Sequence, residues 1–147
     1  MAIQLTSEAF SDGTMIPKRF TCDGEDRSPP LSWSGLPTET ASLALICDDP
    51  DAPVGTWDHW VLFNIPAVVR SLPEGVAADE VIEGVGTHGT NSWRRLGYGG
   101  PCPPEGPAHR YYFKLYALDT ALDLDPGADK QDVEKAMTGH ILAQGQL

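Results

Sequence analysis

Two short apolar runs, ASLALICD (41–48) and VLFNIPA (61–67), bracket the polar, stiff stretch DPDAPVGTWDHW (49–60). Each run has the length and the aliphatic and aromatic content of a buried strand. The stretch between them holds three carboxylates, two prolines, one histidine and two tryptophans. A loop accounts for the prolines. It does not account for a histidine set between Trp57 and Trp60.

The rest of the chain fits the same picture. Residues 59–67 and 109–118 are the two clearest strands, and 41–47 is a third. Fifteen glycines and 13 prolines in 147 residues favour turns and short strands over a helical bundle. The one convincing helix lies near 129–140, where Asp129 caps it and Val133, Ala136, Met137, His140 and Ile141 share a face. Crossover helices between strands are absent, so antiparallel pairing is expected. The expectation is a single domain, 1–147: a mainly β sheet or sandwich with a short C-terminal helix. VIEGVGTHGTNSWRRLGYGGPCPPEGP, between the second and third strands, is far longer than an ordinary connection of about 4–6 residues. Trp93 and Tyr98 inside it argue for order.

Charge and cysteine content exclude several functions. Ten basic residues against 21 acidic ones give a net charge of -11, which repels nucleic-acid backbones and anionic membrane surfaces. No signal peptide and no membrane span are expected, which points to the cytoplasm. Three cysteines without ligand spacing (Cys22, Cys47, Cys102) fit free thiols and argue against structural zinc. Cys47 reads as core.

Alternation along each strand assigns side chains to faces. Asp49 falls with Leu43, Leu45 and Cys47; His59 with Val61, Phe63 and Ile65; His109 with Tyr111, Phe113, Leu115 and Ala117. Each apolar row ends in a titratable residue. If the first strand runs antiparallel to the other two, Asp49, His59 and His109 meet at one end of the core, as at a pocket mouth. One of Trp57 and Trp60 walls that pocket and the other packs on the second face. Asp48 reads as a turn residue, and Arg110 as an ion-pair partner.

These residues resemble the phosphatidylethanolamine-binding protein (PEBP) family in its bacterial, Raf kinase inhibitor-like branch. The resemblance rests on Asp49-Pro50-Asp51-x-Pro53 with Trp57-x-His59-Trp60, and on GYGGPCPPEGPAHRYYF ending in His109-Arg110-Tyr111. The opening segment FTCDGEDRSPPLSWSGLP is also similar. The likeness implies an antiparallel β fold with Greek-key connections and a small cavity for anions such as phosphate or a phospholipid headgroup. Its lining positions match Asp49, Trp57, His59, Pro103 or Pro104, His109 and Tyr111. Animal members inhibit kinases, plant members regulate flowering and some members inhibit serine proteases, so a kinase or protease partner and a homodimer are compatible with it. Asp58, Arg94-Arg95 and the short end at Gln146-Leu147 depart from the family pattern, the last leaving no counterpart to a C-terminal lid.

Such a pocket has chemistry for a small anion: phosphate, phosphoethanolamine or a carboxylate. His59 and His109 donate hydrogen bonds, Tyr111 offers a hydroxyl, and the Gly97–Gly100 run can turn N–H groups toward the cavity. Asp49 accepts from an imidazole N–H, and Asp49 or Asp51 can face an ammonium group. Pro50 and Pro53 stiffen the loop, with Ala52-Pro53 a candidate cis peptide. This reading is a binding protein without turnover, metal or other cofactor. The alternative is a metal-dependent hydrolase or oxygenase using Asp49, His59 and His109 as ligands. No GxSxG elbow supports serine catalysis.

Overall fold

The computed structural model describes residues 3–13, 16–21, 24–51, 56–101 and 111–147. Strands β1 (Gln4–Thr6), β2 (Leu31–Ser34) and β5 (Ser71–Leu72) form a three-stranded antiparallel sheet in the order β1-β2-β5. The larger sheet joins β3 (Ser42–Asp49), β4 (Trp57–Pro66), β6 (Val81–Ile82), β7 (Gly86–His88), β8 (Tyr112–Leu118) and β9 (Ile141–Gln146) in the order β6-β7-β4-β3-β8-β9. Its pairings are antiparallel too. Helix α1 (Lys130–Met137) covers part of the large sheet's outer face.

The expected mainly β class therefore holds, and its three layers explain why β3 is buried from end to end. One face of β3 gives Leu43, Leu45 and Cys47 to the core shared with Leu5, Leu31, Trp33 and Leu72 of the small sheet. The other face gives Ala44 and Ile46 to a second core with Val133 and Met137 of α1. All eight residues of β3 are buried. A strand covered on both faces loses the alternation that a half-exposed strand shows.

Strand β4 corrects the face assignment. Cys47 pairs with Trp60 but Asp48 pairs with Asp58, so His59 is an extra residue in the ladder. A second irregularity near Asn64, which has φ of 54°, lies between the Leu43↔Ile65 and Leu45↔Leu62 pairs. Each bulge inserts one unpaired residue and inverts the alternation beyond it. Trp60, Leu62 and Ile65 thus face the small sheet, while Val61 and Phe63 face α1. His59 does not share a row with Val61 and Phe63, and Trp60 belongs to the main core instead of the second face.

The helix is shorter than the expected 129–140. Asp129 caps it as read, its carboxylate accepting from the Asp132 N–H at 2.8 Å while Asp132 accepts from the Asp129 N–H at 3.3 Å. Gly139, at φ of 83°, ends the helical path, and the chain turns directly into β9 along β8. Ile141 is therefore an exposed strand residue and not part of the helix face.

Asp48 is likewise not a turn residue. It lies one residue before the end of β3 on the α1 side, 1% exposed, with its Oδ2 3.1 Å from Lys114 Nζ and 3.0 Å from Lys130 Nζ. Lys130 also lies 3.4 Å from Asp58, whose pKa is raised because burial outweighs the pull of the lysine. Two cations serve Asp48, so losing one is tolerable and losing both is not. Lys130→Ala should lower the unfolding free energy by about 1–2 kcal/mol, and Lys114→Ala combined with Lys130→Ala by about 3–5 kcal/mol, because an uncompensated buried carboxylate remains. Urea unfolding at neutral pH measures both, and a small additive loss in the double variant would contradict the shared-carboxylate account.

Candidate functional site

Strand register brings four of the expected residues, Asp49, Trp57, His59 and Tyr111, to one end of the large sheet. β3 is antiparallel to both β4 and β8, as the pocket-mouth geometry requires, and pairs Asp49 with Trp57 and Asp48 with Tyr112. Tyr111, just before β8, therefore arrives beside the end of β3. His59, standing out of the ladder as the bulge residue, has its ring centroid 5.3 Å from that of Tyr111, nearly perpendicular at 84°. Asp49, Trp57, His59 and Tyr111 are thus gathered in one place. Pro103, Pro104 and His109 lie outside the described residues, as do Arg110, the Ala52-Pro53 bond, Cys22 and Cys102.

Asp49 is buried, and its Oδ1 accepts the backbone N–H of Asp51 at 2.7 Å. That bond closes the turn leaving β3, so Asp49 shapes the entry to the loop. A backbone carbonyl orients His59. Its Nδ1–H donates to the Gly99 carbonyl at 2.7 Å, and the Gly99 N–H returns a bond to the His59 carbonyl at 2.9 Å. A ring whose Nδ1 is held as a donor presents Nε2 as the acceptor nitrogen when neutral.

Burial lowers the His59 pKa, with the Gly99 bond and the charges of Asp49, Asp48 and Asp26 opposing. Tyr111 is pushed up to about 12 by burial, then by Asp49, Cys47 and Asp51. At neutral pH the site therefore holds a neutral imidazole and a protonated phenol.

Two N–H groups of the 97–100 run are engaged within the protein. The Gly99 N–H is given to His59, and the Gly100 N–H to the Asp26 carboxylate at 2.7 Å. Neither points at a ligand. Glycine is needed at 99 because a Cβ there would overlap the Trp93 ring. Trp93 was not singled out as a site residue, although its presence in a glycine-rich loop was a sign of order. Its ring sits edge-on to His59 (centroids 5.1 Å apart) and to Trp57 (5.5 Å apart). The buried Asn91 sets its place: Oδ1 accepts the N–H groups of Trp93 and Arg95, and Nδ2 donates to the Gly97 carbonyl.

Asp58 does not add charge to this cluster. The bulge directs it to the other face, toward Lys130. Arg94 and Arg95 are exposed. Among the described residues no group of three or more His, Cys, Asp or Glu is placed to hold a metal ion.

A family model described as phosphatidylethanolamine-binding protein matches residues 6–147. The chain belongs to the phosphatidylethanolamine-binding protein family. A UPF0098 protein of Methanothermobacter thermautotrophicus is 55% identical over 145 residues, which span 99% of this chain and 95% of that protein. A UPF0098 protein of Aquifex aeolicus is 47% identical over 147 residues, 99% of this chain and 85% of that one. The crystal structure of a PEBP homologue from Chlamydia trachomatis superposes with a TM-score of 0.89 at 46% identity, covering 99% of this chain and 94% of that one. E. coli YbcL, described as a new member of the mammalian PEBP family, gives 0.89 at 32% identity, with 100% and 96% covered. These likenesses accord with the bacterial branch of the PEBP family that the motifs resembled.

This PEBP-family chain carries a second histidine of different character. His88, fully buried, donates from Nδ1 to the Asp79 carbonyl at 2.8 Å and accepts from Trp60 Nε1 at 3.0 Å through Nε2. Both ring nitrogens are used within the core, and burial lowers its pKa. For His59 and His88 alike, the unfolded chain takes up a proton near pH 6.5 while the folded protein resists until a lower pH. Their stabilising effect is thus complete above pH 6.5 and is lost as pH falls below it, by at most about 1.4 kcal/mol per histidine for each pH unit. Urea unfolding at a series of pH values should show this decline beginning near 6.5. In His88→Gln the slope in that window should be shallower than in the parent.

Proposed function

We propose that this site binds a small anion, phosphate or the phosphate of a phosphoethanolamine-type headgroup, without turning it over. Membership of the PEBP family supports a binding protein of that type. The observation that carries the anion reading is the pairing of His59, whose Nδ1 is tied to a backbone carbonyl, with Tyr111, whose phenol keeps its proton. A fixed ring gains a second donor only by taking a proton at Nε2, and a bound phosphate stabilises that proton. Binding is therefore coupled to proton uptake and strengthens as pH falls through the His59 range. The net charge of -11 slows the approach of an anion without deciding what the local donors do once it arrives. The loop carrying Pro103, Pro104 and His109 completes the ligand set by resemblance, with Asp49, Asp51 and Trp57 lining the entrance. Regulation through a kinase or protease partner, in the cytoplasm and as a monomer or homodimer, is the wider role that the resemblance carries.

Titration of the purified protein with inorganic phosphate and with phosphoethanolamine, followed by imidazole NMR, tests this. The His59 signals should shift saturably, more tightly at pH 6 than at pH 8, and His59→Ala and Tyr111→Phe should each weaken binding about tenfold, as loss of one charge-assisted or neutral donor implies. Absence of a saturable shift would refute the anion reading. Stoichiometric iron or zinc that disappears in His59→Ala would replace it with the metal-dependent one.

A further inference from the structure

The segment made by residues 18–21 and 24–27 lies apart from the strands that supply the site. It is tied to itself by Thr21 N–H to the Lys18 carbonyl (3.0 Å), Gly24 N–H to the Thr21 carbonyl (3.1 Å) and Arg27 N–H to the Arg19 carbonyl (3.2 Å). Two bonds join it to residues 98 and 100, and they flank a single residue. Tyr98 Oη donates to the Phe20 carbonyl at 2.7 Å, and Gly100 N–H donates to Asp26 Oδ1 at 2.7 Å. Between them sits Gly99, which exchanges both of its backbone hydrogen bonds with His59.

We propose that Asp26 is a positioning residue for His59: its carboxylate fixes the 99–100 peptide, and the Gly99 carbonyl so fixed selects the His59 tautomer with hydrogen on Nδ1. Asp26 never touches the ring; it acts through one peptide unit. Three observations carry this. The bond to Gly100 has an ionised acceptor, which makes it stronger than a neutral one. Gly100 has no room for a Cβ, which would overlap Asp26 Oδ1 and the Phe20 carbonyl, so the two segments meet at backbone contact. Asp26 itself has φ of 57°, a left-handed conformation that aspartate adopts at some cost and keeps where surrounding contacts hold it. As an exposed residue it contributes nothing to either core, so its geometry answers to this contact.

The consequence for ligand binding rests on the anion reading above, whereas the consequence for the tautomer does not, and the experiment separates them. Imidazole 15N shifts report the Nδ1–H and Nε2–H populations of His59 directly. Asp26→Ala should convert a single Nδ1–H tautomer into a mixture while circular dichroism stays that of the parent, and should weaken inorganic phosphate binding about three- to tenfold, as expected for one lost hydrogen bond. Asp26→Asn keeps an acceptor oxygen and should restore the tautomer and most of the affinity. Trans-hydrogen-bond couplings in the unaltered protein, from Gly100 15N to the Asp26 carboxyl carbon and from His59 Nδ1 to the Gly99 carbonyl carbon, check the same relay if Asp26→Ala fails to fold. An unchanged His59 tautomer in Asp26→Ala, or absence of either coupling in the parent, would overturn the assignment. If phosphate does not bind the parent while the tautomer responds to Asp26, the positioning role stands and the anion reading alone falls.

Discussion

A strand buried on both faces cannot end in two carboxylates unless each finds a partner, and β3 ends in Asp48-Asp49. Because neighbours alternate, the two acids leave on opposite sides. Asp48 meets Lys114 and Lys130 and draws the start of α1 onto the sheet. Asp49 bends the chain through the Asp51 N–H and opens the edge at which His59 and Tyr111 assemble. The helix seat and the candidate site are two answers to one desolvation problem, set by adjacent residues.

The elements that depend on pattern were legible in the sequence. Apolar runs located β3, β4 and β8, the antiparallel condition proved right, and Asp129 capped α1 as read. Strand β9 was missed because ILAQGQ mixes polar residues with glycine and borrows its order from β8 and from Ile3, whose N–H bonds the Gln144 carbonyl. Simple alternation succeeded for Ile65 and failed for Trp60, Val61, Leu62 and Phe63. The reason is that bulges near 59 and 64 invert the count twice, so that the two ends of β4 agree with a regular strand and only its middle does not. Nothing in composition marks a bulge, since it is a property of the pairing and needs both strands.

The site was legible through its side chains and hidden where the backbone acts. Asp49, Trp57, His59 and Tyr111 carry recognisable chemistry, and register gathers them. The carbonyl that orients His59 belongs to Gly99, the N–H of the following Gly100 is held by Asp26, 74 residues away, and Trp93 is placed by an asparagine within its own loop. Polar contacts made by main-chain atoms leave no signature in residue type.

The bulge at His59 has a further meaning. With His59 removed, Trp60 and Asp58 would follow one another in the regular ladder they already make with Cys47 and Asp48, and every core side chain would keep its face. The packing treats this histidine as a guest. A plain antiparallel sheet and one that carries an imidazole at its rim differ here by a single codon, so an imidazole of this kind can be gained or lost without changing which way the strand's core side chains face.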